Sequence, residues 1–228
     1  MSIDTPNLTL EQLDVDGAIQ EAAADVNSDT RAAFLRKAGV FGGTIVASGA
    51  ALGGLPALAE ARGSLKRDLS ILNFALTLEY LEAAFYKEGL KKSGVSGQVQ
   101  SLASVVSGHE TTHVHFLKKA LGKKAVKSPK FDFGSATESA TGFLKTAFVL
   151  ENEGVAAYSG QGPYIHTLAY TKAALSILTI EARHASAFAL IQGHIKGKTG
   201  ITPNGAFDKA KSKSRVLSDV KKTHFIKS

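Results

Sequence analysis

The sequence contains no cysteine in its 228 residues. This absence excludes disulfide bonds, thiolate metal sites, cysteine-held iron–sulfur clusters and a cysteine nucleophile. It leaves the cellular compartment open, because an exported protein need not carry disulfides. Hydrophobic residues make up 44% and charged residues 21% of the chain, which is the composition of a globular protein. A chain of this length has room for one domain with extensions, or for two small domains.

Acidic residues are the scarcer charged class, with 20 against 27 basic residues and a net charge of +7. Residues 1–59 hold seven acids and three bases, whereas the rest of the chain holds 13 acids and 24 bases. An acidic leader therefore precedes a basic body of net charge +11. The predicted organisation is a leader over 1–59, a helical domain over 60–196 and a basic tail over 197–228 that packs on the domain.

The leader has the parts of an export signal. A basic patch over 30–37 precedes an apolar run rich in glycine and alanine, which ends on a small-x-small pattern at 57–59. This arrangement resembles a twin-arginine signal, with Ala32 standing where the second arginine belongs. The alternative is an uncleaved helix, in which residues 39–59 contact the body, a second copy or a partner. Export predicts an extracytoplasmic protein, and retention predicts a cytoplasmic one.

Apolar residues in the body recur at the spacing of half-buried helices. Long helices are predicted over about 65–90, 95–121, 138–158 and 164–195, with a short one near 214–221. No strand alternation is evident. Short links join the helices in pairs, so each pair is predicted to form an antiparallel hairpin. About 15 residues separate the hairpins, enough to cross the length of a four-helix bundle.

The two predicted hairpins repeat the same motifs. The first helix of each has a glutamate followed by a tyrosine seven positions later, and the second helix of each has Glu-x-x-His. The pairs are Glu79 with Tyr86, Glu151 with Tyr158, Glu110 with His113 and Glu181 with His184. The spacing from Glu79 to Glu110 in the first copy nearly equals that from Glu151 to Glu181 in the second. The shared order and spacing indicate a duplicated unit.

The repeat predicts a dinuclear metal site. Residues three apart share a helix face, so each Glu-x-x-His motif offers a carboxylate and an imidazole to one ion. Four helices then bring four carboxylates and two imidazoles to one level of the core. Two divalent ions balance the four negative charges, and the oxygen-rich donors favour iron first and manganese second. The predicted ligands are Glu79, Glu110, His113, Glu151, Glu181 and His184, with Glu110 and Glu181 as bridges.

Other polar residues are assigned by their angle around the helix. Tyr86 and Tyr158 share the face of the glutamates and are predicted to hydrogen-bond carboxylates of the opposite hairpin. Glu82 also lies on this face, as an extra ligand or a channel acid. Glu153 is two residues past its neighbouring ligand and is expected to face solvent. His109 lies off the face of its motif and is expected to be solvated or packed, like the other histidines outside the motifs.

Five segments of the body resemble members of a known family. They are 71–82 (ILNFALTLEYLE), 131–133 (FDF), 154–158 (GVAAY), 181–184 (EARH) and 202–209 (TPNGAFDK). Together they resemble the ferritin-like family that includes plant and bacterial desiccation-related proteins, over about residues 65–226. The resemblance implies an all-α, ferritin-like four-helix bundle. It also implies a twin-arginine leader of the kind that bacterial members commonly have.

Two functions are compatible with these features. The leading hypothesis is a redox metalloprotein in which two metal ions react with dioxygen or peroxide, oxidising ferrous iron or consuming the oxidant under stress. The alternative is a structural stress protein whose metal braces the bundle and whose basic surface binds a cell-envelope polymer, a membrane or another partner. Nucleic-acid binding is disfavoured, because the basic residues carry no recognition motif. No transmembrane span is expected in the body.

Overall fold

The structure, a computed structural model, describes the backbone of residues 55–227 and the side chains of residues 64–227. The described part has five α-helices and two short strands. They are α1 Leu55–Lys92, α2 Gly97–Leu121, β1 Lys130–Phe131, α3 Ala140–Gln161, α4 Leu168–Ile191, α5 Lys213–Thr223 and β2 Ile226–Lys227. Residues 1–54, which hold most of the predicted export signal and of the apolar segment 39–59, lie outside the described residues. The export signal and the contacts of the apolar segment therefore stay predictions.

The four long helices form two hairpins. Short links, 93–96 between α1 and α2 and 162–167 between α3 and α4, turn the chain back on itself in each pair. The segment 122–139 connects the hairpins and contains two 3-10 turns and β1. The predicted helical bundle is therefore confirmed, and the long connection has the place and length expected of a crossover.

Two helices differ in extent from their predictions. α1 begins at Leu55, well before the predicted start near residue 65. Pro56 is its second residue, where the missing N–H removes no hydrogen bond. α4 is shorter than predicted at both ends, because a 3-10 turn over 162–164 precedes it and Gly193 follows it with φ +74°.

The tail is held to the bundle by main-chain contacts. α5 packs against α3, and the Lys211 N–H donates to the Ala156 carbonyl at 3.0 Å. The close approach requires Gly160, because a Cβ there would lie 1.8 Å from the Lys211 carbonyl oxygen. β2 pairs antiparallel with β1 in the crossover. The sequence predicted no strand, since two residues are too few to show alternation.

The apolar core consists of two clusters with a polar layer between them. On α2 the first cluster reaches Val106 and the second begins at Val114. On α4 the second cluster ends near Ile177, and Phe188 belongs to the first. The Glu-x-x-His motifs of both helices lie in these gaps. The bundle therefore surrounds its buried charges with hydrocarbon on two sides.

One described helix is long and apolar enough to cross a membrane by length and composition. It is α4, with a mean hydropathy of 1.3 over its most apolar window. The core helix of a globular bundle has the same properties, and α4 packs against α3 with Glu181 and His184 buried. The expectation that the body has no transmembrane span stays a prediction.

Candidate metal centre

Six polar side chains converge in the layer between the clusters. They come from all four long helices and are Glu79 of α1, Glu110 and His113 of α2, Glu151 of α3, and Glu181 and His184 of α4. The four glutamates are 0% exposed, and His113 and His184 are 9% and 5% exposed. Buried ions need partners of opposite charge, because the loss of hydration is otherwise too costly.

The ligand atoms form two overlapping groups, and within each group they lie within 4.8 Å of one another. The first group is Glu79, Glu110, His113 and Glu181; the second is Glu110, Glu151, Glu181 and His184. Glu110 and Glu181 belong to both groups, which is the geometry of carboxylates shared by two ions. The structure thus brings the six predicted residues together, while their binding of metal stays a prediction.

Both histidines turn Nδ1 toward the carboxylates. His113 Nδ1 lies 3.1 Å from Oε2 of Glu79 and 3.1 Å from Oε2 of Glu110. His184 Nδ1 lies 2.9 Å from Oε2 of Glu151 and 3.2 Å from Oε1 of Glu110. In the metal-free protein the imidazole protons hold these carboxylates together. The same nitrogens are placed to bind metal once those protons leave.

Three carboxylate oxygens at the centre lack hydrogen-bond partners. Both oxygens of Glu181 and Oε1 of Glu110 are buried without a hydrogen bond. His184 approaches that Glu110 oxygen, but only as an ion-pair contact. An unpaired buried acceptor costs roughly 1–3 kcal/mol, and more when it is charged. A divalent metal ion would supply the missing partner, so the donor set fits one.

The pKa values of the acids differ across the centre. Burial raises the pKa of Glu79 to about 7 and raises that of Glu181 well above its usual range. Burial also acts upward on Glu110, but interactions with His113 and His184 outweigh it and lower the pKa of Glu110 to about 2. Glu110, which contacts both imidazoles, is therefore the acid of the centre whose ionised form is favoured most.

The pKa values of both histidines are raised. Burial disfavours each imidazolium, but hydrogen bonds to Glu110 and Glu79 raise the pKa of His113 to about 10. The ion-pair contact with Glu110 and the hydrogen bond to Glu151 likewise raise the pKa of His184 to about 9. At neutral pH the metal-free centre thus holds two imidazolium ions, which offset part of the charge that metal ions would balance.

The tyrosines of the repeat join the two hairpins. The Tyr86 hydroxyl donates to Oε1 of Glu151, and the Tyr158 hydroxyl donates to Oε1 of Glu79 at 2.5 Å. Both hydrogen bonds predicted from the repeat are present. Burial raises the pKa of both phenols well above the usual value, so both remain donors. Glu79 and Glu151, the terminal glutamates that would each contact one ion, are thus each fixed by a tyrosine of the other hairpin.

Glu82 lies beside the centre. In the second repeat the position that corresponds to Glu82 is Gly154 on α3. Its side chain is 3% exposed, and burial raises its pKa well above the usual range. A Cβ on Gly154 would lie 2.7 Å from Oε2 of Glu181 and 3.4 Å from Oε1 of Glu82. The missing side chain leaves room for both carboxylates. Glu82 belongs to neither ligand group, and its role as a ligand or channel acid stays a prediction.

Helix angle gave one wrong prediction, for Glu153, and did not indicate a contact of His109. His109 was expected to be solvated or packed off the face of its motif, and its Nδ1 lies 2.8 Å from Nε2 of His184 with the two rings nearly parallel. Glu153 was expected to face solvent, yet its side chain is 14% exposed and pairs with Lys211 of the tail. The angle around one helix does not report what a neighbouring helix or a distant tail brings to that surface.

A small apolar cavity adjoins the centre. Its volume is about 20 Å³, and its walls include Leu78, Tyr158 and Ala174. Tyr158 is also the residue whose hydroxyl binds Glu79. One side chain therefore separates the cavity from a predicted ligand. The apolar walls and the volume, enough for about one water-sized molecule, suit a small uncharged ligand.

The family model of the ferritin-like domain matches residues 67–194, which is more than half of the chain. The chain belongs to the ferritin-like domain family. The matched range includes all six converging residues of this ferritin-like domain and ends before its basic tail. No curated protein matches the chain. The family prediction is confirmed, whereas the relation to desiccation proteins stays a prediction.

Proposed function

We propose that this ferritin-like protein binds two divalent metal ions and uses them to oxidise ferrous iron or to consume dioxygen or peroxide in stress protection. The observation that carries the proposal is the pair of ligand groups sharing Glu110 and Glu181. Iron is the first candidate and manganese the second, because carboxylates outnumber imidazoles in the donor set. Metal bound here would supply the electrons or the redox cycling for the reaction.

The proposal gives each residue of the donor set a place around the ions. Glu79 and His113 would hold one ion, Glu151 and His184 the other, and the two shared carboxylates would contact both. The tyrosines hold the terminal glutamates in place before metal arrives. Preformed ligands of this kind reduce the reorganisation that binding requires.

The surroundings favour a small uncharged oxidant. Apolar clusters lie on both sides of the polar layer and exclude water from the carboxylates. The apolar cavity ends at Tyr158, one side chain from Glu79. Dioxygen and hydrogen peroxide are small enough for such a space, whereas larger organic substrates are not.

Stopped-flow oxidation tests the proposal. Protein loaded anaerobically with about two ferrous ions per chain is mixed with dioxygen or peroxide, and ferric absorbance is followed. We expect faster oxidation than for iron in buffer, and loss of the acceleration in Glu110→Ala. Glu138→Ala, which removes an exposed glutamate, is the matched control. Wild-type rates equal to those of iron in buffer would contradict the proposed reaction.

A second candidate function rests on the basic surface. Lys66, Arg67 and Lys213 line an open depression that has no acid among its described lining residues. Such a surface suits an anionic partner, as in a structural stress protein whose metal only braces the bundle. This function predicts lower thermal stability after chelation, no oxidase activity, and binding to anionic vesicles that weakens with salt.

The leader allows two proposals about location. Export would give a mature chain that begins near residue 60, and retention would give a cytoplasmic chain with 39–59 available for contact with a second copy or a partner. Intact mass of the protein from its own cells distinguishes them. A mass of 23.9 kDa, that of all residues together, supports retention and contradicts export. Native mass then reports whether retained chains associate.

A further inference from the structure

His109 is the exposed member of a pair of nearly coplanar imidazoles that meet edge to edge. It precedes Glu110 on α2, and its ring lies against His184 of α4 with centroids 5.1 Å apart and planes 17° apart. The His109 Nδ1 is 2.8 Å from Nε2 of His184. His109 itself is solvent-exposed, whereas His184 is 5% exposed. The contact therefore connects a predicted ligand to the protein surface.

The contact determines which nitrogen of His184 carries the proton when metal is bound. Nδ1 of His184 faces Glu110 and Glu151 and is thus the nitrogen available to the ion. A neutral imidazole that binds through Nδ1 has its proton on Nε2. The His109 Nδ1 is placed to accept that proton in a hydrogen bond, which leaves the proton of His109 on its own Nε2. One hydrogen bond fixes both tautomers.

The equivalent histidine of the other hairpin lacks this support. Within the described part of the chain, the hydrogen bonds of His113 all involve Nδ1. Glu110 of the first Glu-x-x-His motif corresponds to Glu181 of the second, so the counterpart of His109 is Ile180. An isoleucine side chain can neither accept nor donate a hydrogen bond. The two repeats therefore share their predicted ligands but differ in the residue at the position of His109.

We infer that His109 is a positioning residue that orients His184 and makes the two metal positions unequal, with tighter binding at the His184 position. The inference rests on the proposed function, because it concerns the same pair of ions. Outer hydrogen-bond partners of histidine ligands typically contribute roughly 10- to 100-fold to metal affinity. His184 has such a partner in His109, whereas the corresponding position of the other repeat is Ile180.

Cobalt(II) titration of the full-length protein tests the inference, with affinities from calorimetry and d–d absorption. His109→Phe keeps an aromatic ring against His184 but removes the acceptor, so we expect one of two binding steps to weaken by roughly 10- to 100-fold. His109→Asn presents a carbonyl oxygen near the place of Nδ1 and should restore that step. His115→Phe, an exposed histidine on the same helix, is the control.

A second measurement separates positioning from packing. In the cobalt-loaded wild type, the Nε2 proton of His184 should give a shifted NMR signal that exchanges slowly with solvent, and His109→Phe should lose it. Unchanged binding in His109→Phe, equal weakening of both steps, or failure of His109→Asn to restore the step would each overturn the inference. Wild-type protein that binds no cobalt would overturn the proposed function as well.

Discussion

Four buried carboxylates and two imidazoles converge in this bundle, in two overlapping groups whose ligand atoms lie within 4.8 Å of one another. Without metal, the two imidazolium ions balance part of the negative charge, and burial keeps Glu181 protonated by raising its pKa. The polar layer is thus stable enough to form, but three of its oxygens have no hydrogen bond. Two divalent ions would complete both the charge balance and the coordination of these oxygens.

The stability of the metal-free protein should fall as pH rises. The pKa of His113 is raised to about 10 and that of His184 to about 9, so both bind protons more tightly in the folded state. Their contribution is complete below the unfolded value of 6.5 and is lost as pH rises through the folded values. Glu79, with its pKa raised to about 7, acts in the same direction from 4.5 upward.

Thermal unfolding with chelator, scanned between pH 6.5 and 9, checks this expectation. We predict a falling melting temperature without metal and little change in the loaded protein, whose ligands carry no protons to lose. Metal affinity should rise over the same pH range, because binding must displace the imidazole protons. A metal-free protein that gains stability toward pH 9 would contradict the assigned protonation.

Gly154→Ala is predicted to affect the metal site more than the fold. Alanine normally stabilises a helix interior by roughly 0.5–1 kcal/mol relative to glycine. Here the new Cβ would lie 2.7 Å from Oε2 of Glu181, the end of a side chain that can turn away. We expect a melting temperature close to that of wild type and metal binding weakened by about tenfold or more.

The control for this variant is Gly108→Ala, because a Cβ at Gly108 meets nothing within 4 Å. It should leave metal binding unchanged. Titration of both variants with the same metal gives the comparison. Wild-type affinity in Gly154→Ala would show that Glu181 does not need its present position to bind.

Among the elements, α3 contacts both the candidate metal centre on one side and the tail on the other. On the side that faces the tail, the Ala156 carbonyl accepts a hydrogen bond from the Lys211 backbone N–H, and Glu153 forms an ion pair with the Lys211 side chain. Asp219 of α5 pairs with the same lysine at 3.1 Å. The contacts of Lys211 with α3 thus position this part of the tail, on a different side of the helix from the candidate metal ligand Glu151.

Gly160→Ala should release this part of the tail. The added Cβ would lie 1.8 Å from a backbone oxygen, which cannot move aside as a flexible side chain can. We predict destabilisation on the order of 1–3 kcal/mol and faster proteolysis after residue 197, with metal stoichiometry retained. Gly108→Ala again serves as the control and should be neutral or stabilising. Unchanged protease resistance in Gly160→Ala would show that the tail is held elsewhere.

The long helices and the convergence of the six polar residues could be predicted because both patterns are periodic. Apolar spacing indicated four helices, and the repeated Glu and Glu-x-x-His motifs indicated which faces meet. His109 and Glu153 could not be placed, because their partners come from α4 and from the tail rather than from their own helices. The start of α1 was missed because the alanine-rich residues before Leu65 show no clear apolar face.

At the scale of the whole molecule, the uneven distribution of acids now has a structural explanation. The body has 13 acids against 24 bases. Four of these acids are fully buried in one polar layer, and Glu82 lies beside them. Much of the scarce acidic charge is thus inside the bundle, which leaves the surface more basic than the composition alone suggests. This surface is where an anionic partner would bind.

Metal stoichiometry tests the central claim most directly. Full-length protein is reconstituted anaerobically with ferrous iron or manganese, freed of excess metal and analysed by mass spectrometry for metal per chain. The account predicts about two ions per chain in wild type and a large loss when Glu110→Ala and His184→Ala are combined. Less than about 0.2 ion per wild-type chain, or unchanged stoichiometry in the double variant, would contradict the assignment of these residues as a dinuclear site.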